Sequence, residues 1–505
     1  MTQTQIVAVI AMLVFVAVML FVGVISARKA NTVEGFLLGG RSMGAWLSAF
    51  SYGTSYFSAV IFIGYAGMFG WSIGLASIWI GIGNAVLGCL LAWIVLAKPT
   101  RRMTRRLSAR TMPEFFSGRY QSKAMKIYAA VIIFIFLVPY AASVYKGLGT
   151  LFSAIFSGAS PIICMAIVAV MTAAYLVLGG YVATALNDLV QGIVMIVGII
   201  AMTLILVNQP EVGGFAAVAG KLAAIDPQLT DIVGGSKARG LAMNILLTSF
   251  GVWGMPQMIH KYYAVKDESS IKIATIVSTF FALIIGCGAY FTGSLSRLFL
   301  PAAESGTPDV AGGYDSVIPN LLLTALTDSL FSIIVLSVIM LLLLSASMST
   351  LSAIVLSSSS AISVDLVQEI HPQIRPKRQL TLTRVLCLIF IALSFMFATM
   401  NISFIVNLMS FSWGVVAGSF IGPLLWGLYY KKTTKAGAWA GMLSGVIVVA
   451  ALIVFNTATS GFEAAKALAP QMGVTAMLVS CIAVPLFSLR TKAFDSAHID
   501  AIFKG

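Results

Sequence analysis

Long apolar segments, each about as long as a membrane helix, follow one another along most of the chain. A helix needs about 20 apolar residues to cross a bilayer. We count about thirteen such segments, with approximate centres at residues 16, 58, 86, 138, 170, 197, 252, 285, 342, 391, 414, 447 and 479. The pattern predicts an all-α polytopic membrane protein and leaves no stretch long enough for a separate soluble domain.

The composition agrees with a chain that lies mostly in a membrane. Hydrophobic residues make up 59% of the 505 positions and charged residues only 10%, whereas soluble domains carry about 25% charged residues. The first apolar segment, IVAVIAMLVFVAVMLFVGVIS, follows no basic residue and precedes no small-residue cleavage site. We therefore expect it to be retained as a span and not removed as a signal peptide.

Basic residues are distributed unequally between the loops that these spans create. With thirteen spans and the N-terminus outside, 25 of the 31 Lys and Arg fall in inner segments. The six in outer segments are Lys146, Lys221, Lys237, Arg239, Arg297 and Lys466. Inner loops of membrane proteins carry the excess of Lys and Arg, so we predict N-out and C-in. The net charge of +14 then reflects contact with anionic lipid and not nucleic acid.

The sequence lacks the residues that are characteristic of several classes of protein. The five cysteines all lie in apolar segments and match no disulfide or metal spacing, and the three histidines are far apart. The sequence contains no nucleotide-binding P-loop and no nucleophile–base combination. It therefore predicts neither an enzyme nor an ATP-driven pump.

Two predicted spans are interrupted by residues that weaken a helix. The second, AFSYGTSYFSAVIFIG, carries Gly, Ser and Thr through its middle, and the seventh, NILLTSFGVWGMPQMI, contains two glycines and a proline. Five spans run from the second to the sixth, and five more run from the seventh to the eleventh. Because five is an odd number of crossings, the second set starts on the other side of the membrane and runs in the opposite direction. This favours an inverted-repeat transporter with its site at the broken helices, although Gly and Pro are also common in ordinary membrane helices.

The predicted frame is a single transmembrane domain, 1–505, built around these repeats. Its parts are an extra N-terminal helix (1–28), a first five-helix repeat (45–207), an inverted second repeat (241–430), two extra helices (436–489) and a short cytoplasmic tail (490–505).

Asp188, in ATALNDLVQGIVMIVG, is the carboxylate that lies closest to the middle of an apolar span, and no Lys or Arg lies within ten residues of it. An acidic group inside a membrane helix costs a few kcal/mol unless it pairs, binds a cation or reaches water. An Asp can also lie at the start of a helix, where the helix dipole stabilises it. Both interpretations remain open for Asp188.

The ninth span carries a cluster of hydroxyls in SASMSTLSAIVLSSSS, residues 345–360. Ala346, Ser349 and Thr350 share one helix face, and Ser352 follows three residues after Ser349. Hydroxyl and carbonyl oxygens suit a hard cation, and Asp188 could complete a site for a monovalent ion. Alternatively, the hydroxyls bond to their own helix or line helix contacts, as we expect for much of 357–360.

The chain resembles the sodium:solute symporter family, and the resemblance runs nearly end to end. The motifs that carry it are LGGRSMG (38–44), GTSYFSAVIFIG (53–64), MPEFFSGRY (112–120), LGGYVATALNDLVQGIVM (178–195), GMPQMI (254–259) and SASMSTLSA (345–353). Bacterial carriers of the proline and pantothenate type are the most similar members.

The resemblance implies a sodium site between the broken second span and the ninth span. Its ligands would be the carbonyls of Thr54, Phe57 and Ala346 and the hydroxyls of Ser349 and Thr350. Some members hold a second sodium with an Asp of the sixth span, which implies a second ion at Asp188 and Ser352. Ala353 lacks a hydroxyl that some of those members have, and Asp188 could act instead on the cytoplasmic exit route.

The implied solute pocket lies near the same breaks. Its candidate residues are aromatic or hydroxyl side chains and one amide: Ser55, Tyr56, Asn84, Tyr140, Thr248, Phe250 and Trp253. Proline carriers have an Asp where this chain has Tyr56, and a Trp and a Tyr where it has Thr248 and Val252, so proline is not the expected solute. A sugar would need more polar partners, because buried unpaired hydroxyls are costly. A small carboxylate-bearing solute, such as an amino acid, a monocarboxylate or pantothenate, is favoured.

The predicted function is secondary active symport by alternating access in the cell membrane, with Na⁺ as the coupling ion and a small organic solute as the second partner. Membrane lipid surrounds the chain, and a monomer is sufficient. The alternative is a sensor or channel-like membrane protein on the same frame without coupled transport. The short stretch after Arg490 holds no signalling domain, and no charged ring or continuous polar path suggests a channel.

Overall fold

The computed structural model describes residues 3–156, 159–326, 330–400 and 402–503. Helices form nearly all of the regular structure in these ranges, where the β-type pairs are two isolated bridges. Ten helices of the described residues are long and apolar enough to cross a membrane. The all-α membrane fold is therefore confirmed. The residues at both ends of the predicted frame, 1–2 and 504–505, lie outside the described ranges.

The long helices follow the apolar segments of the sequence. They are Gln3–Ser26, Lys123–Ile155, Pro161–Val207, Glu268–Leu295, Leu330–Ser360, Pro376–Thr399, Ile405–Tyr429, Lys435–Ser460 and Ala469–Ser488. Residues 60–106 form a further run of helical pieces, which are Val60–Gly70, Trp71–Ile73, Gly74–Ser77, Ile78–Gly83, Asn84–Leu91, Trp93–Ala97 and Lys98–Arg106. The count of thirteen spans stays a prediction, because several of these pieces are broken or bent.

The helix Pro161–Val207, which we call the aspartate helix, covers two predicted spans. Its backbone leaves helical geometry at Gly180, with φ 54° and ψ −146°. A side chain at this position would be strained, and its Cβ would lie 2.7 Å from the Phe36 ring. The glycine therefore places a bend between the predicted centres at 170 and 197.

The first broken span, residues 45–70, consists of the helices Ala45–Tyr56 and Val60–Gly70. Phe57 leaves the helical region between them, with φ −102° and ψ 107°. The break frees backbone amides, and hydroxyls satisfy two of them. The Ala59 amide donates to Ser347 Oγ at 3.3 Å and the Val60 amide to Ser58 Oγ at 3.2 Å. Such compensation makes a broken helix possible within a membrane.

The second broken span, residues 238–264, consists of the helices Ala238–Gly251 and Pro256–Ala264. A turn closes the break, because the Gly254 amide donates to the Gly251 carbonyl at 3.0 Å. Pro256 starts the second piece, where its missing N–H has no helical partner to lose. Both glycines also allow close packing, since a Cβ at Gly251 would lie 2.6 Å from the Trp413 ring.

The segments predicted to be inner meet at one face of the molecule, which we call the basic face. Arg102, in the run KPTRRMTRRLSAR, donates to Glu268 at 2.5 Å. Arg106 donates to the Ile502 carbonyl in the C-terminal segment at 2.7 Å. Segments far apart in the chain thus share one side, as the charge pattern predicts.

The segments predicted to be outer meet at the opposite face. Lys237 donates to the Ser72 carbonyl at 2.7 Å, and Trp79 Nε1 donates to the Ile232 carbonyl at 2.9 Å. The predicted outer segments thus contact one another, as the predicted inner segments do. That the basic face is cytoplasmic remains a prediction from the positive-inside rule.

Candidate functional site

Asp188 lies at the centre of a buried hydrogen-bond network. Its carboxylate accepts from Ser349 at Oδ1 and from Ser51 at Oδ2, both at 2.6 Å. The residue lies eight positions beyond the bend at Gly180, inside the aspartate helix, and it is fully buried. It therefore lies about two turns beyond the nearest helix start, out of reach of the dipole effect of a first turn, so the helix-start interpretation is wrong.

Lys261 is the charged partner of Asp188, and the sequence interpretation missed it. The charge pattern assigns Lys261 to an inner segment, but it lies in the helix Pro256–Ala264 and is only 2% exposed. Its Nζ is 3.6 Å from Asp188 Oδ2 and donates to Ser51 Oγ at 2.7 Å. The same Nζ lies 5.2 Å from the centre of the Tyr181 ring. A search for basic residues near Asp188 in the sequence misses Lys261, because the two residues are 73 positions apart.

Thr350 approaches three backbone carbonyl oxygens at the first broken span. Its Oγ1 lies 3.0 Å from the Ala346 carbonyl, 3.2 Å from that of Ser55 and 3.4 Å from that of Thr54. Ala346 and Thr350 are one turn apart on the helix Leu330–Ser360, which we call the serine helix. The other two carbonyls belong to the last turn before the break.

Ser349 connects this group to the Asp188 network. Its Oγ lies 2.8 Å from Thr54 Oγ1 and 3.5 Å from Ser55 Oγ, in addition to its hydrogen bond with Asp188. We call Thr54, Ser55, Ala346, Ser349 and Thr350 the oxygen cluster. All five are at most 1% exposed. The cluster offers only hydroxyl and carbonyl oxygens near the break, which is the donor set that a hard cation prefers.

Four of the five sodium ligands predicted from the family resemblance belong to the oxygen cluster. The fifth, Phe57, lies at the end of the helix Ala45–Tyr56, where its amide donates to the Gly53 carbonyl at 3.2 Å. Ser55, predicted for the solute pocket, lies instead beside Thr350 and Ser349. Ser352 donates to the Ser349 carbonyl at 2.9 Å, so its hydroxyl bonds to its own helix.

A second polar group forms at the second broken span. Asn84 Oδ1 lies 2.8 Å from Thr248 Oγ1 and accepts from Ser249 Oγ at 3.3 Å. Tyr56 donates from its hydroxyl to the Thr248 carbonyl at 2.7 Å. The amide nitrogen of Asn84 is buried without a hydrogen-bond partner, and so are both amide atoms of Gln257 just past the break. We call the hydrogen-bonded residues Tyr56, Asn84, Thr248 and Ser249 the amide cluster.

Aromatic side chains surround the amide cluster. The ring of Trp413 stacks with Tyr56 at 6.4 Å and meets Tyr140 edge-on at 5.6 Å between ring centres. Trp253 donates to the Leu87 carbonyl at 3.0 Å and packs against the half-buried Phe250. Trp413 was not predicted, although the sequence SFSWG places a tryptophan between small residues inside an apolar span.

Access to these clusters differs between the two faces. A cavity of about 980 Å³ opens among residues of the opposite face, and its lining includes Lys146, Asn244, Tyr314, Asp315 and Asn407. The Asn244 carbonyl accepts from Thr248 at 2.7 Å, so the cavity reaches to within one helical turn of the amide cluster.

Towards the basic face, three buried aromatic side chains pack against one another. Tyr52 lies 5.7 Å from Tyr262 and 5.4 Å from Trp93 between ring centres, and Trp93 meets Tyr262 at 4.9 Å. Each of them lies within two helical turns of a segment at the basic face. A cavity of this size thus opens on the opposite face, while packed aromatic rings lie on the basic-face side of Tyr56.

The sodium:solute symporter family matches residues 36–445 of this chain. The match covers most of the chain, and the chain therefore belongs to that family. It is a multi-pass protein of the cell membrane, a transporter and not an enzyme, and it couples Na⁺ to the movement of a small organic solute.

Curated relatives cover nearly the whole sequence. The osmoregulated proline transporter OpuE of Bacillus subtilis is 26% identical over 488 residues, which are 96% of this chain and 95% of the relative. A sodium/proline symporter of Haemophilus influenzae is 30% identical over 442 residues, 86% of each chain.

Solved structures share the fold. The outward-open, substrate-bound state of a Na⁺-coupled sialic acid symporter matches with a TM-score of 0.74 at 15% identity, over 96% of this chain and 98% of the other. The nucleobase-cation-symport-1 family transporter Mhp1, in a closed conformation, matches with a TM-score of 0.53 at 16% identity, over 94% and 98%. At these identities the likeness concerns the fold alone.

Proposed function

We propose that the chain carries a small carboxylate-bearing solute into the cell with sodium, and that sodium binds at the oxygen cluster. The observation that carries the proposal is the position of the Thr350 hydroxyl, within 3.4 Å of three carbonyl oxygens at a helix break. Carbonyls freed at a break can coordinate sodium without losing helical hydrogen bonds. The Phe57 carbonyl, one residue past the helix, completes the proposed ligand set.

The solute is proposed to bind at the amide cluster and its aromatic wall. The amide nitrogen of Asn84 and both amide atoms of Gln257, which follows the break of the second broken span, are buried without a protein partner. Such groups cost free energy unless a ligand or water satisfies them. They can donate to a carboxylate, while Tyr140 and Trp253 supply apolar surface. The few donors support a small acid over a sugar.

The solute itself is proposed to differ from proline. The relatives OpuE and the Haemophilus influenzae symporter are named for proline, which carries the carboxylate that the proposed class requires. Tyr56 stands where the family's proline carriers have an Asp, and Thr248 and Val252 replace two of their aromatic residues. A changed pocket wall supports a different small acid.

The packed aromatic side chains towards the basic face support coupled transport over a channel. A channel needs a continuous path through the membrane, whereas Tyr52, Trp93 and Tyr262 pack together on the basic-face side of Tyr56. Alternating access explains both the cavity on one side and the packed rings on the other.

The remaining architecture is proposed from the same frame. Residues 45–207 and 241–430 form the two inverted repeats, each of which opens with a broken span. The basic face is cytoplasmic, membrane lipid covers the exposed apolar helices, and a monomer suffices for transport.

Uptake by purified protein in liposomes tests the function. Labelled proline, other amino acids, monocarboxylates, pantothenate and glucose are offered with and without an inward sodium gradient. We expect sodium-dependent accumulation of at least one acid above that of proline and glucose. Preference for glucose, or accumulation that is equal in sodium and potassium, contradicts the proposal.

A further inference from the structure

The ion pair of Lys261 and Asp188 joins three parts of the proposed transport machinery. Lys261 belongs to the second broken span, Asp188 to the aspartate helix, and Ser51 of the first broken span bonds to both. Both charged side chains are at most 2% exposed. Among the residues that the structure describes, no other ion pair is buried so deeply.

We infer that the Lys261 ammonium is the resident cation of Asp188, so that this carboxylate takes no sodium and the chain binds a single sodium at the oxygen cluster. The inference rests on the proposed sodium site and extends it to the number of ions bound.

Both carboxylate oxygens of Asp188 already have polar partners. Oδ1 accepts from Ser349 and Oδ2 accepts from Ser51, while Oδ2 also faces Lys261 Nζ at 3.6 Å. The Ser51 hydroxyl donates to the carboxylate and accepts from the ammonium at 2.7 Å. A sodium ion at the same carboxylate would lie close to a fixed positive charge, and like charges repel strongly where water is excluded.

The neighbouring hydroxyls support the same assignment. Ser352, the residue predicted to share a second ion with Asp188, donates to the Ser349 carbonyl of its own helix. Position 353 is Ala and supplies no oxygen beyond its backbone. Of the residues that the structure describes, Ser349 links the carboxylate to the oxygen cluster, through contacts of 2.6 Å and 2.8 Å. The Ser349 hydroxyl therefore connects Asp188, whose cation is Lys261, to the proposed sodium site at the oxygen cluster.

Counting bound ions tests the inference without knowledge of the solute. Purified full-length protein in lipid nanodiscs is titrated with radioactive sodium, and the ions bound per chain are measured at saturation. We expect one ion for the wild type, with a simple hyperbolic curve. Lys261→Met removes the ammonium and keeps the carboxylate with both serines, so it should bind two. Lys261→Arg retains the charge and should bind one.

The number of sodium ions bound decides whether Lys261 takes the place of a second sodium. Two ions bound by the wild type overturn the inference, as does one ion bound by a folded Lys261→Met protein with wild-type affinity. The double variant Lys261→Met with Asp188→Asn should return to one ion, because the added site needs the carboxylate. If Lys261→Met does not fold, the wild-type count still decides. A wild type that binds no sodium refutes the proposed sodium site, which is a different result from binding two.

Discussion

The two broken spans differ in how the backbone groups freed at each break find hydrogen-bond partners. In the first, hydroxyls from the serine helix and from the span itself satisfy the backbone amides freed at the break, and carbonyl oxygens face Thr350. In the second, a turn closes the break internally, and Gly251 and Gly254 pack tightly against the helix Ile405–Tyr429. The first break therefore presents oxygens and the second presents amides and aromatic rings. The difference suggests that one break serves the ion and the other the solute.

Asp188→Asn should have the largest effect, because Asp188 and Lys261 connect the two broken spans. The substitution leaves a buried ammonium without its counter-charge, and removal of one partner from a buried ion pair costs about 3–5 kcal/mol. We expect a large loss of thermal stability and of uptake, measured by melting in nanodiscs and by initial transport rates. Asp188→Glu keeps the charge and should retain more activity.

Two comparisons make the Asp188 prediction specific. The double variant Asp188→Asn with Lys261→Gln removes both charges and should recover most of the stability. Asp309→Asn, in an exposed loop, should behave like the wild type. An Asp188→Asn protein that melts and transports as the wild type does would show that the pair does not connect the spans.

Thr350→Ala should have the next largest effect and should concern sodium alone. Loss of one ligand oxygen is expected to raise the half-saturating sodium concentration about tenfold, since a hydrogen-bonding contact to a charge is worth roughly 1.5 kcal/mol. The KM for the solute at saturating sodium should change little. Thr292→Ala is the matched control, because Thr292 is a buried threonine that bonds to its own helix. An unchanged sodium dependence for Thr350→Ala would remove this residue from the ion site.

Asn84→Ala should show the converse behaviour. Loss of the amide is expected to raise the KM for the solute about fivefold, corresponding to roughly 1 kcal/mol, and to leave the half-saturating sodium concentration at saturating solute unchanged. Asn456→Ala, at a helix end, serves as the control. If Asn84→Ala shifts the sodium dependence and not the solute KM, the division between the two breaks is wrong.

The smallest effect on transport is expected from single cysteines that report direction. If the broken spans run in opposite directions, Ser42 and Arg239, which are exposed just before or at their starts, lie on opposite sides. In a background without native cysteines, Arg239→Cys should react with an impermeant reagent in intact cells, and Ser42→Cys only after permeabilisation. The same accessibility at both positions would contradict the inverted repeat.

The sequence predicts features that depend on local periodicity and fails where distant segments meet. Ala346, Ser349 and Thr350 could be placed on one face because helical spacing determines it. The partner of Asp188 could not be found in this way, because Lys261 follows an apolar segment and resembles the first residue of a basic loop. Trp413 was missed because a single tryptophan in an apolar span most often packs against lipid or core. The motif resemblance placed the first broken span against the serine helix, a contact that periodicity alone does not reveal.

The tethered ammonium at Asp188 also has an electrical consequence. Lys261 does not leave the protein, so with the single sodium inferred above the transported charge in each cycle is that of one sodium and the solute. A monocarboxylate anion cancels the sodium charge, and its uptake is then insensitive to membrane voltage. A zwitterionic amino acid leaves one positive charge, which gains about 2.3 kcal/mol per 100 mV. Voltage dependence of uptake thus distinguishes the two kinds of solute that the pocket favours.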